Sequence, residues 1–464
     1  MNVVFVHGWS VRTTNTYAGL PGFLEKQRTA DGGELRVSHL YLGKYISFDD
    51  EVTVDDIACA FENAVNETLD KRAKFACITH STGGPIVRAW LEQHKRDLSA
   101  CRMSHLIMLA PANHGSALAQ LGKSRLSRMK FFLQGAEPGV RVLHWLELGS
   151  DESWRLNESW LDYDCVSAGL FPFVLTGQTI DRQMYDQLNA YTGEPGSDGV
   201  VRVAAANLNY GLLRLVQEDG ELQKDPRNRL AKPTAFGVLP GQAHSGRKCG
   251  IMGSVRADDD GSHPTAHWIL RCLRVGNAGD YQELSDELVA LTAQTQLSER
   301  EDVETKLHLF KRTFITNQYC MLVFRLRDHR SNNLDDYDVI LTAGPEYDPN
   351  HLPTGFFVDR QRNSRNLGKL TYYLDYTVME GLNDPRLEGK MGFRIVARPE
   401  SGLAHYQPLE YRGTLKTLKR FLVPNQTLMI EIELHRRIDQ AVFQLTSDLN
   451  PGAISAKPSG QYVE

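Results

Sequence analysis

Apolar residues in the first 275 positions fall into short runs that alternate with longer, amphipathic stretches. Val3–Val6, Leu35–Leu42 and His105–Ala110 are short and mostly apolar, which is typical of β-strands. Val54–Leu69 instead places apolar residues at helical spacing behind acidic residues, so it is predicted to be a helix. Strands that alternate with helices indicate a mostly parallel sheet covered on both faces. Residues 1–275 are therefore predicted to form an α/β domain, with further strands at Phe171–Thr176, Val200–Ala204 and Thr234–Leu239.

The pattern changes after residue 275. Residues 276–304 are predicted to contain a helix at Tyr281–Leu291 and then a polar linker. Beyond the linker, short strands are separated by turn-rich segments such as GPEYDPNHLPTG, which is the pattern of a β-sandwich. Residues 305–464 are therefore predicted to form an all-β, sandwich-like accessory domain. Its predicted strands are the run YCMLVFRLRD, which contains Cys320, and the segments Tyr337–Ala343, Leu370–Tyr376, Gly392–Arg398, Leu428–Leu434 and Ala441–Leu445.

Composition and charge narrow the class of protein. A chain of 464 residues with 41% hydrophobic and 23% charged residues is typical of a soluble protein with about two or three domains. Its net charge of −5 argues against nucleic-acid binding, which usually requires a basic excess. Seven scattered cysteines without a CxxC pair favour a reducing compartment. The amino terminus lacks the features of a cleavable secretory signal, so synthesis in the cytoplasm is predicted, and signal-less export stays open.

The segment KFACITHSTGGPIVRAWL, residues 74–91, predicts a reactive serine. A strand-like run, Phe75–Ile78, meets a sharp turn with glycines and continues into a helical pattern, with Ser81 at the apex. A serine hydroxyl attacks a carbonyl when it stands clear of the backbone beside a base, with free amide groups behind it. A strained strand-to-helix turn provides this exposure, and the start of the helix provides the amides. We therefore predict that Ser81 is a catalytic nucleophile.

A serine nucleophile needs a base and an acid that orients the base. Asp198 lies in the Gly-rich loop GEPGSDGVV ahead of a predicted strand, and we expect it at the carboxyl edge of the sheet. His244 lies in the loop that follows Thr234–Leu239 and is predicted to be the base. Serine, acid and histidine then follow each other in an order that serine hydrolases use. Asp164 and Asp181 remain alternatives for the acid.

His263 and His267 compete with His244 for the role of base. They lie at positions i and i+4 behind Asp258–Asp260, so the set also has the residue types of a metal site. Such residues more often begin a helix, here Pro264–Arg274, with the acids at its amino end. We therefore predict His244 as the base, and we predict no metal and no other cofactor.

Acyl transfer also needs hydrogen-bond donors for the oxyanion that develops on the substrate. The backbone N–H of Thr82, next to Ser81, is one predicted donor. The other is the N–H of Trp9 in HGWS, the loop after the first strand, where Gly8 lets the backbone approach a substrate closely.

These motifs resemble those of the bacterial lipases and esterases of the α/β-hydrolase family. Ser81 matches the nucleophile of the family's GHSxGG motif, Asp198 matches the acid of its DGxV motif, and His7-Gly8 matches its oxyanion loop. His244 matches the catalytic histidine by its place after the last strand. The resemblance covers about residues 1–275. It implies an α/β-hydrolase fold followed by the all-β domain.

The sequence departs from the family pattern at two points. Thr79 stands where the motif has its first glycine, so the turn must hold a larger side chain. The first strands of the full fold are missing, so a shortened sheet is expected. The insertion at about residues 117–170 lies where lipases carry a helical cap, and its first part, 117–134, is basic and amphipathic. A basic amphipathic helix is more often a packed surface helix than a membrane element, and its place in the cap keeps peripheral membrane contact as an alternative.

The resemblance implies a serine ester hydrolase that acts through an acyl-enzyme, and a lipase or phospholipase rather than an esterase for small esters. A thioesterase or an acyltransferase with the same triad remains an alternative. A binding or delivery protein, whose β-domain recognises a partner or a membrane, is another. An antibacterial lipase effector would combine enzyme and delivery protein. The sequence does not indicate the acyl chain, the ester bond cleaved, the oligomeric state or the protein partner of the C-terminal domain.

Overall fold

The computed structural model describes ten segments of the chain, and the fold is reported for these: 1–7, 17–29, 32–47, 49–94, 97–122, 139–180, 194–306, 310–379, 385–398 and 404–438. Trp9, the alternative acid Asp181 and the predicted strand Ala441–Leu445 lie outside the described residues. So does most of the basic segment 117–134. The described part of this segment, Ala117–Gly122, is helical.

The first half of the chain builds one parallel sheet. Its strands are β1 (Asn2–His7), β2 (Arg36–Tyr41), β3 (Phe75–His80), β4 (Met103–Leu109), β5 (Phe171–Thr176) and β9 (Ala235–Val238). These six strands lie in the order β2-β1-β3-β4-β5-β9, and every neighbouring pair is parallel. The predicted parallel sheet is confirmed, in the shortened form that the sequence indicates.

Helices cover both faces of this sheet. They are α1 (Leu20–Glu25), α2 (Val54–Thr68), α3 (Gly83–Glu92), α4 (Ala117–Gly122), α5 (Val140–Leu146), α6 (Asp151–Trp160), α7 (Val203–Ala206), α8 (Pro264–Leu273) and α9 (Ala278–Ser298). Side chains of a strand point alternately to its two faces. Val4 and Val6 of β1 accordingly pack in one core with α2 and α3, and Val3 and Phe5 pack in a second core with α1, α8 and α9.

The second half is built on a seven-stranded sheet. Its strands are β6 (Gly211–Glu218), β7 (Glu221–Lys224), β8 (Arg229–Leu230), β12 (Tyr319–Asp328), β14 (Phe357–Arg362), β15 (Lys369–Asp375) and β19 (Thr427–Leu434). They lie in the order β14-β15-β12-β19-β6-β7, with β8 paired to β6. The neighbours of β19 are parallel to it, and the other pairs are antiparallel.

A three-stranded sheet packs on one face of this larger sheet. It consists of β13 (Tyr337–Ala343), β16 (Lys390–Ala397) and β18 (Leu409–Thr414). Phe324 of β12 meets Phe393 of β16 with their rings 5.6 Å apart, inside a core shared by both sheets. The predicted all-β, sandwich-like region is confirmed. Further described elements are the strand pairs β10 (Glu301–Lys306) with β11 (Phe310–Ile315) and β17 (Ala404–His405) with β20 (Arg437–Ile438), and the helices α10 (Tyr376–Met379) and α11 (Leu415–Leu418).

The other face of the seven-stranded sheet packs on the α/β half. Cys320, Leu322 and Phe324 of β12 lie in the sandwich core, whereas Met321 and Val323 lie in the same core as α2 and α3. This alternation follows from the two-residue period of a strand. Strand β12 is therefore buried on both faces, and the large sheet is the middle layer between the α/β half and the small sheet.

Three local predictions differ from the structure. Residues 211–230 belong by sequence to the predicted first domain, but their strands pair with β19 and complete the second sheet. The predicted strand Val200–Ala204 is instead a turn followed by α7, because Val200 and Val201 donate their N–H groups to the Asp198 carboxylate. The predicted linker is mostly helical, since α9 continues to Ser298.

A row of charged residues joins the large sheet to α6. Arg214, Glu431, Arg325 and Lys369 occupy registered positions on four adjacent strands, β6, β19, β12 and β15. Arg214 and Arg325 both pair with Glu431, and both also reach Glu158 of α6. One carboxylate inside the sheet is thus shared by two guanidinium groups, which reduces the cost of removing the three charges from water.

Helix α6 makes further contacts with the same row. The Lys369 ammonium pairs with Asp151, and the Trp154 ring lies 4.2 Å from the Arg325 guanidinium carbon and 5.2 Å from Lys369 Nζ. The indole therefore lies within cation–π distance of both groups, which its ring quadrupole favours. Burial lowers the pKa of Lys369 to about 8, and the hydrogen bond to Asp151 opposes this shift.

We expect Glu431→Gln to lower the free energy of unfolding by about 1–3 kcal/mol, because two largely buried guanidinium groups lose their shared carboxylate. Equilibrium unfolding in urea measures the change. Glu433→Gln is the matched control, since Glu433 lies on the same face of β19 outside the row. Equal stability of the two variants would contradict a stabilising role for the charged row.

Candidate active site

Ser81 lies at a sharp turn between β3 and α3. Its φ angle is 52°, in the left-handed region. Residues other than glycine adopt this region at a cost of about 1–2 kcal/mol. The backbone passes Pro111 so closely that a Cβ on Gly84 would lie 2.8 Å from the Pro111 Cβ. Glycine at position 84 therefore permits the turn to pack against the loop after β4, and the predicted strand, turn and helix are all present.

Thr79, which replaces the first glycine of the family motif, is accommodated by Gly83. The Thr79 side chain is fully buried, and a Cβ on Gly83 would lie 3.1 Å from the Thr79 Cβ. Such a contact is tighter than van der Waals contact allows without a shift. The missing Cβ of Gly83 thus leaves the room that the threonine methyl and hydroxyl need.

The structure brings Ser81, His244 and Asp198 into one hydrogen-bonded chain. His244 Nε2 lies 3.1 Å from Ser81 Oγ, and His244 Nδ1 lies 2.9 Å from Asp198 Oδ2. Asp198 Oδ1 accepts the N–H groups of Val200 at 2.9 Å and Val201 at 2.8 Å. These donors hold the carboxylate in one orientation, so that it accepts the Nδ1 proton and leaves Nε2 free to accept the serine proton. The side chains of His244 and Asp198 are almost completely buried.

Two backbone contacts hold the loop that carries His244. His244 N donates to Asp198 O at 2.9 Å, and His80 Nε2 lies 3.0 Å from His244 O. Burial and the neighbouring His244 hold the pKa of His80 well below its usual range. A neutral His80 donates from Nε2 to this carbonyl. Its role is therefore that of an anchor for the loop.

The oxyanion donors are described only in part. Thr82 directly follows Ser81 and is the N-cap residue of α3. The N–H groups at the start of a helix have no partner within the helix and point towards an approaching anion. The position of Thr82 suits the predicted role, whereas Trp9 lies outside the described residues. The oxyanion hole as a pair of donors stays a prediction.

The competing residues lie elsewhere. Asp164 Oδ1 accepts the N–H of Ser167 in an exposed turn. His263 is the N-cap of α8: its Nδ1 accepts the N–H of Thr265, so its Nε2 carries the proton and donates to Ser254. A histidine protonated in this way is no base for that serine. Within the ten described segments, no group of three or more His, Cys, Asp or Glu side chains is placed to hold a metal.

Arg202 was not predicted from the sequence. This residue is the last one of the loop that carries Asp198, and its buried guanidinium pairs with Glu194 and with Asp359 of β14. Asp359 lies 157 residues further along the chain, so no local motif connects the two. Its sequence context offers one indication: Arg202 is the single cation in the otherwise apolar stretch VVRVAAA. A charged side chain in such a stretch is buried only when it has a partner of opposite charge.

A parallel sheet, a serine on a strained strand-to-helix turn, and a histidine and an aspartate on later loops define an α/β-hydrolase. Solved structures identify the family. Phospholipase PlaB from Legionella pneumophila is 53% identical with a TM-score of 0.88, over 100% of this chain and 99% of that chain. Its complex with thio-NAD gives the same values. The chain belongs to the family of this phospholipase, and the predicted resemblance to lipase-type α/β-hydrolases is confirmed.

More distant structures add little. The mature form of the Bacillus licheniformis lipase BlEst2 is 18% identical, with a TM-score of 0.32 over 44% of this chain and 78% of that chain, and no argument rests on it. No protein-family model and no curated protein matches the chain.

We expect Ser81→Gly to be at least as stable as Ser81→Ala, because glycine adopts a positive φ without steric cost. In ordinary backbone, glycine is less stable than alanine by about 0.5–1 kcal/mol. Urea unfolding of both variants gives the comparison, and the same pair of substitutions at Ser153, inside α6, is the control in which alanine is more stable. Ser81→Gly less stable than Ser81→Ala by about 1 kcal/mol would show that the turn is not strained.

Proposed function

We propose that the protein is a serine hydrolase that cleaves carboxylic ester bonds of phospholipids, with Ser81 as nucleophile, His244 as base and Asp198 as the acid that orients it. The observation that carries this proposal is the hydrogen-bonded chain of these three residues at the turn after β3. Full-length similarity to a phospholipase supports the lipid substrate. The same geometry alone would serve any acyl ester.

The reaction proceeds in two steps. Ser81 Oγ attacks the acyl carbonyl while His244 Nε2 takes its proton, and the resulting imidazolium is stabilised by Asp198. The N–H groups of Thr82 and Trp9 bind the oxyanion. His244 then gives the proton to the leaving alcohol, here a lysolipid, and the acyl group stays on Ser81. In the second step, His244 activates water, which attacks the acyl-enzyme and releases the fatty acid.

Contact with a lipid surface is part of the proposal. No helix within the described ranges is long and apolar enough to cross a membrane. The segment 117–134 has a basic, amphipathic pattern, and a helix of this kind lies in the plane of an anionic lipid surface. We therefore propose that the enzyme acts from the membrane surface, with the basic segment 117–134 of the predicted cap as the contacting element.

Mass spectrometry of the products tests the proposal. Wild-type protein and Ser81→Ala are incubated with vesicles that contain mixed phospholipids and neutral glycerides. We expect fatty acid and lysolipid with the wild type and neither with the variant. Release from glycerides alone would make the enzyme a neutral lipase and contradict the phospholipid substrate. Activity only on soluble esters or thioesters would contradict action on lipids, and full phospholipid cleavage by Ser81→Ala would remove Ser81 as nucleophile.

The role of Asp198 has a separate test. Asp198→Asn keeps the shape of the side chain but favours the wrong tautomer of His244, so we expect kcat to fall by about 10⁴-fold. Asp164→Asn is the matched control and should keep wild-type kcat, because Asp164 lies in an exposed turn, where it accepts the N–H of Ser167 and pairs with Lys232. Rates on a soluble ester measure both. A loss in Asp164→Asn with activity retained in Asp198→Asn would reverse the assignment.

A further inference from the structure

The loop that carries Asp198, residues 194–202 (the acid loop), is held at both ends by the seven-stranded sheet. Asp198 occupies the middle of this loop. Val203 N donates to Gly196 O at 2.9 Å and so closes the loop. The position of the carboxylate beside His244 therefore depends on where the two ends of the loop are fixed.

One registered row of the sheet contacts the second end. Its members, on adjacent strands, are Asp359, Tyr373, Met321 and Thr427. Arg202 forms an ion pair with Asp359, its guanidinium carbon lies 4.1 Å from the centre of the Tyr373 ring, and its Nη1 lies 4.0 Å from Met321 Sδ. Thr427 Oγ1 donates to Ala204 O at 2.8 Å. All four members of the row thus touch residues 202–204.

The first end is held by Tyr373 and Tyr319. The Tyr373 hydroxyl lies 3.1 Å from both Pro195 O and Gly196 O, so its proton is shared between these carbonyls. Gly196 has φ 70°, and a Cβ there would lie 2.2 Å from the Tyr319 ring and 2.5 Å from the Tyr373 hydroxyl. The loop backbone rests directly on the two stacked tyrosines, whose rings are 5.0 Å apart.

Charge as well as shape holds Arg202. Its side chain is 1% exposed, and Arg202 Nε donates to Glu194 Oε2 at 2.9 Å. Burial alone would lower the pKa of Arg202, but the carboxylates of Glu194 and Asp359 outweigh it and raise this pKa. The cation thus links a carboxylate inside the acid loop to a carboxylate on the sheet. Removing either carboxylate leaves a buried charge with one partner fewer.

We propose that the seven-stranded sheet sets the geometry of the triad, with Tyr373, Asp359 and Arg202 as positioning residues that hold Asp198 against His244. This inference rests on the proposed function. A displacement of about 1 Å in a catalytic group costs on the order of 100-fold in rate. Because the sheet fixes both ends of the acid loop, a small change in the sheet surface can displace Asp198 and lower the rate. The C-terminal region is therefore part of the catalytic unit and not only an accessory to it.

Tyr373→Phe tests the proposal, because it removes the hydroxyl that bonds Pro195 and Gly196 and keeps the ring under Arg202. We expect kcat on a soluble short-chain ester to fall by about tenfold or more, with KM changed less than twofold, since substrate contacts are untouched. The acidic limb of the kcat/KM profile should move to lower pH, because the imidazolium loses part of its carboxylate partner. His80 also faces the His244 ring, at 4.6 Å, and is unchanged in this variant.

Tyr372→Phe is the matched control. Tyr372 lies next to Tyr373 on β15 but faces the small sheet, where its hydroxyl donates to Val339 O at 2.5 Å. It should lose stability in thermal unfolding and keep the wild-type kcat and pH profile. Asp359→Asn, with Asp338→Asn as its surface control, repeats the comparison through the ion pair, and Asp359→Glu should recover part of kcat.

The outcomes separate positioning from simple packing. If Tyr373→Phe loses stability as Tyr372→Phe does but keeps wild-type kcat and pH profile, the proposal is overturned. A fall in kcat of equal size in both variants would also overturn it, since the effect would then follow stability. Ser81→Ala tests the underlying function separately. If Ser81→Ala is active, the proposed triad is wrong. If Ser81→Ala is inactive and Tyr373→Phe keeps wild-type kcat, the triad stands and only the positioning role of the sheet is contradicted.

Discussion

Burial of both faces of the seven-stranded sheet is the constraint on which the rest of the structure depends. One face closes the sandwich core, and the other packs on the α/β half through successive registered rows of side chains. The row at Met321 contacts the acid loop, and the row at Arg325 contacts α6. Because successive same-face rows are two residues apart, a slip of one residue in β12 would turn both sets of contacts into the sandwich core. The register of a single strand therefore fixes the loop and the helix together.

Most of the α/β half could be predicted from sequence because its signals are local. A short apolar run, a turn with glycines and an amphipathic helix lie within residues 74–91, so Ser81 could be placed by its neighbours alone. Asp198 and His244 could be predicted only with the strand assignments as well, since Asp198 was placed in a Gly-rich loop ahead of a predicted strand and His244 in a loop after one. The structure brings both next to Ser81 because parallel strands end at the same edge of the sheet.

What the sequence did not reveal depends on contacts between distant segments. Strand β6 carries an ordinary alternating pattern, and nothing within it says that its partner is β19 rather than a strand of the first sheet. The pairing of Arg202 with Asp359 has the same character, because each residue alone is a common surface type. Thr79 shows a third case: the motif suggested a steric problem, and the solution lies in the missing Cβ of Gly83 on the next turn.

The position of β6 in the chain has a consequence for synthesis. Strand β6 leaves the ribosome about 200 residues before β19, which at roughly 5–20 residues per second corresponds to about 10–40 s. During that interval β6 can pair only with β7 and β8, so its edge towards β19 is open and its apolar face is uncovered. The acid loop then lacks β12, β14, β15 and β19, the strands that hold its two ends. The protein is thus formed as one unit only when nearly the whole chain has been made, and until then it presents a surface that chaperones bind.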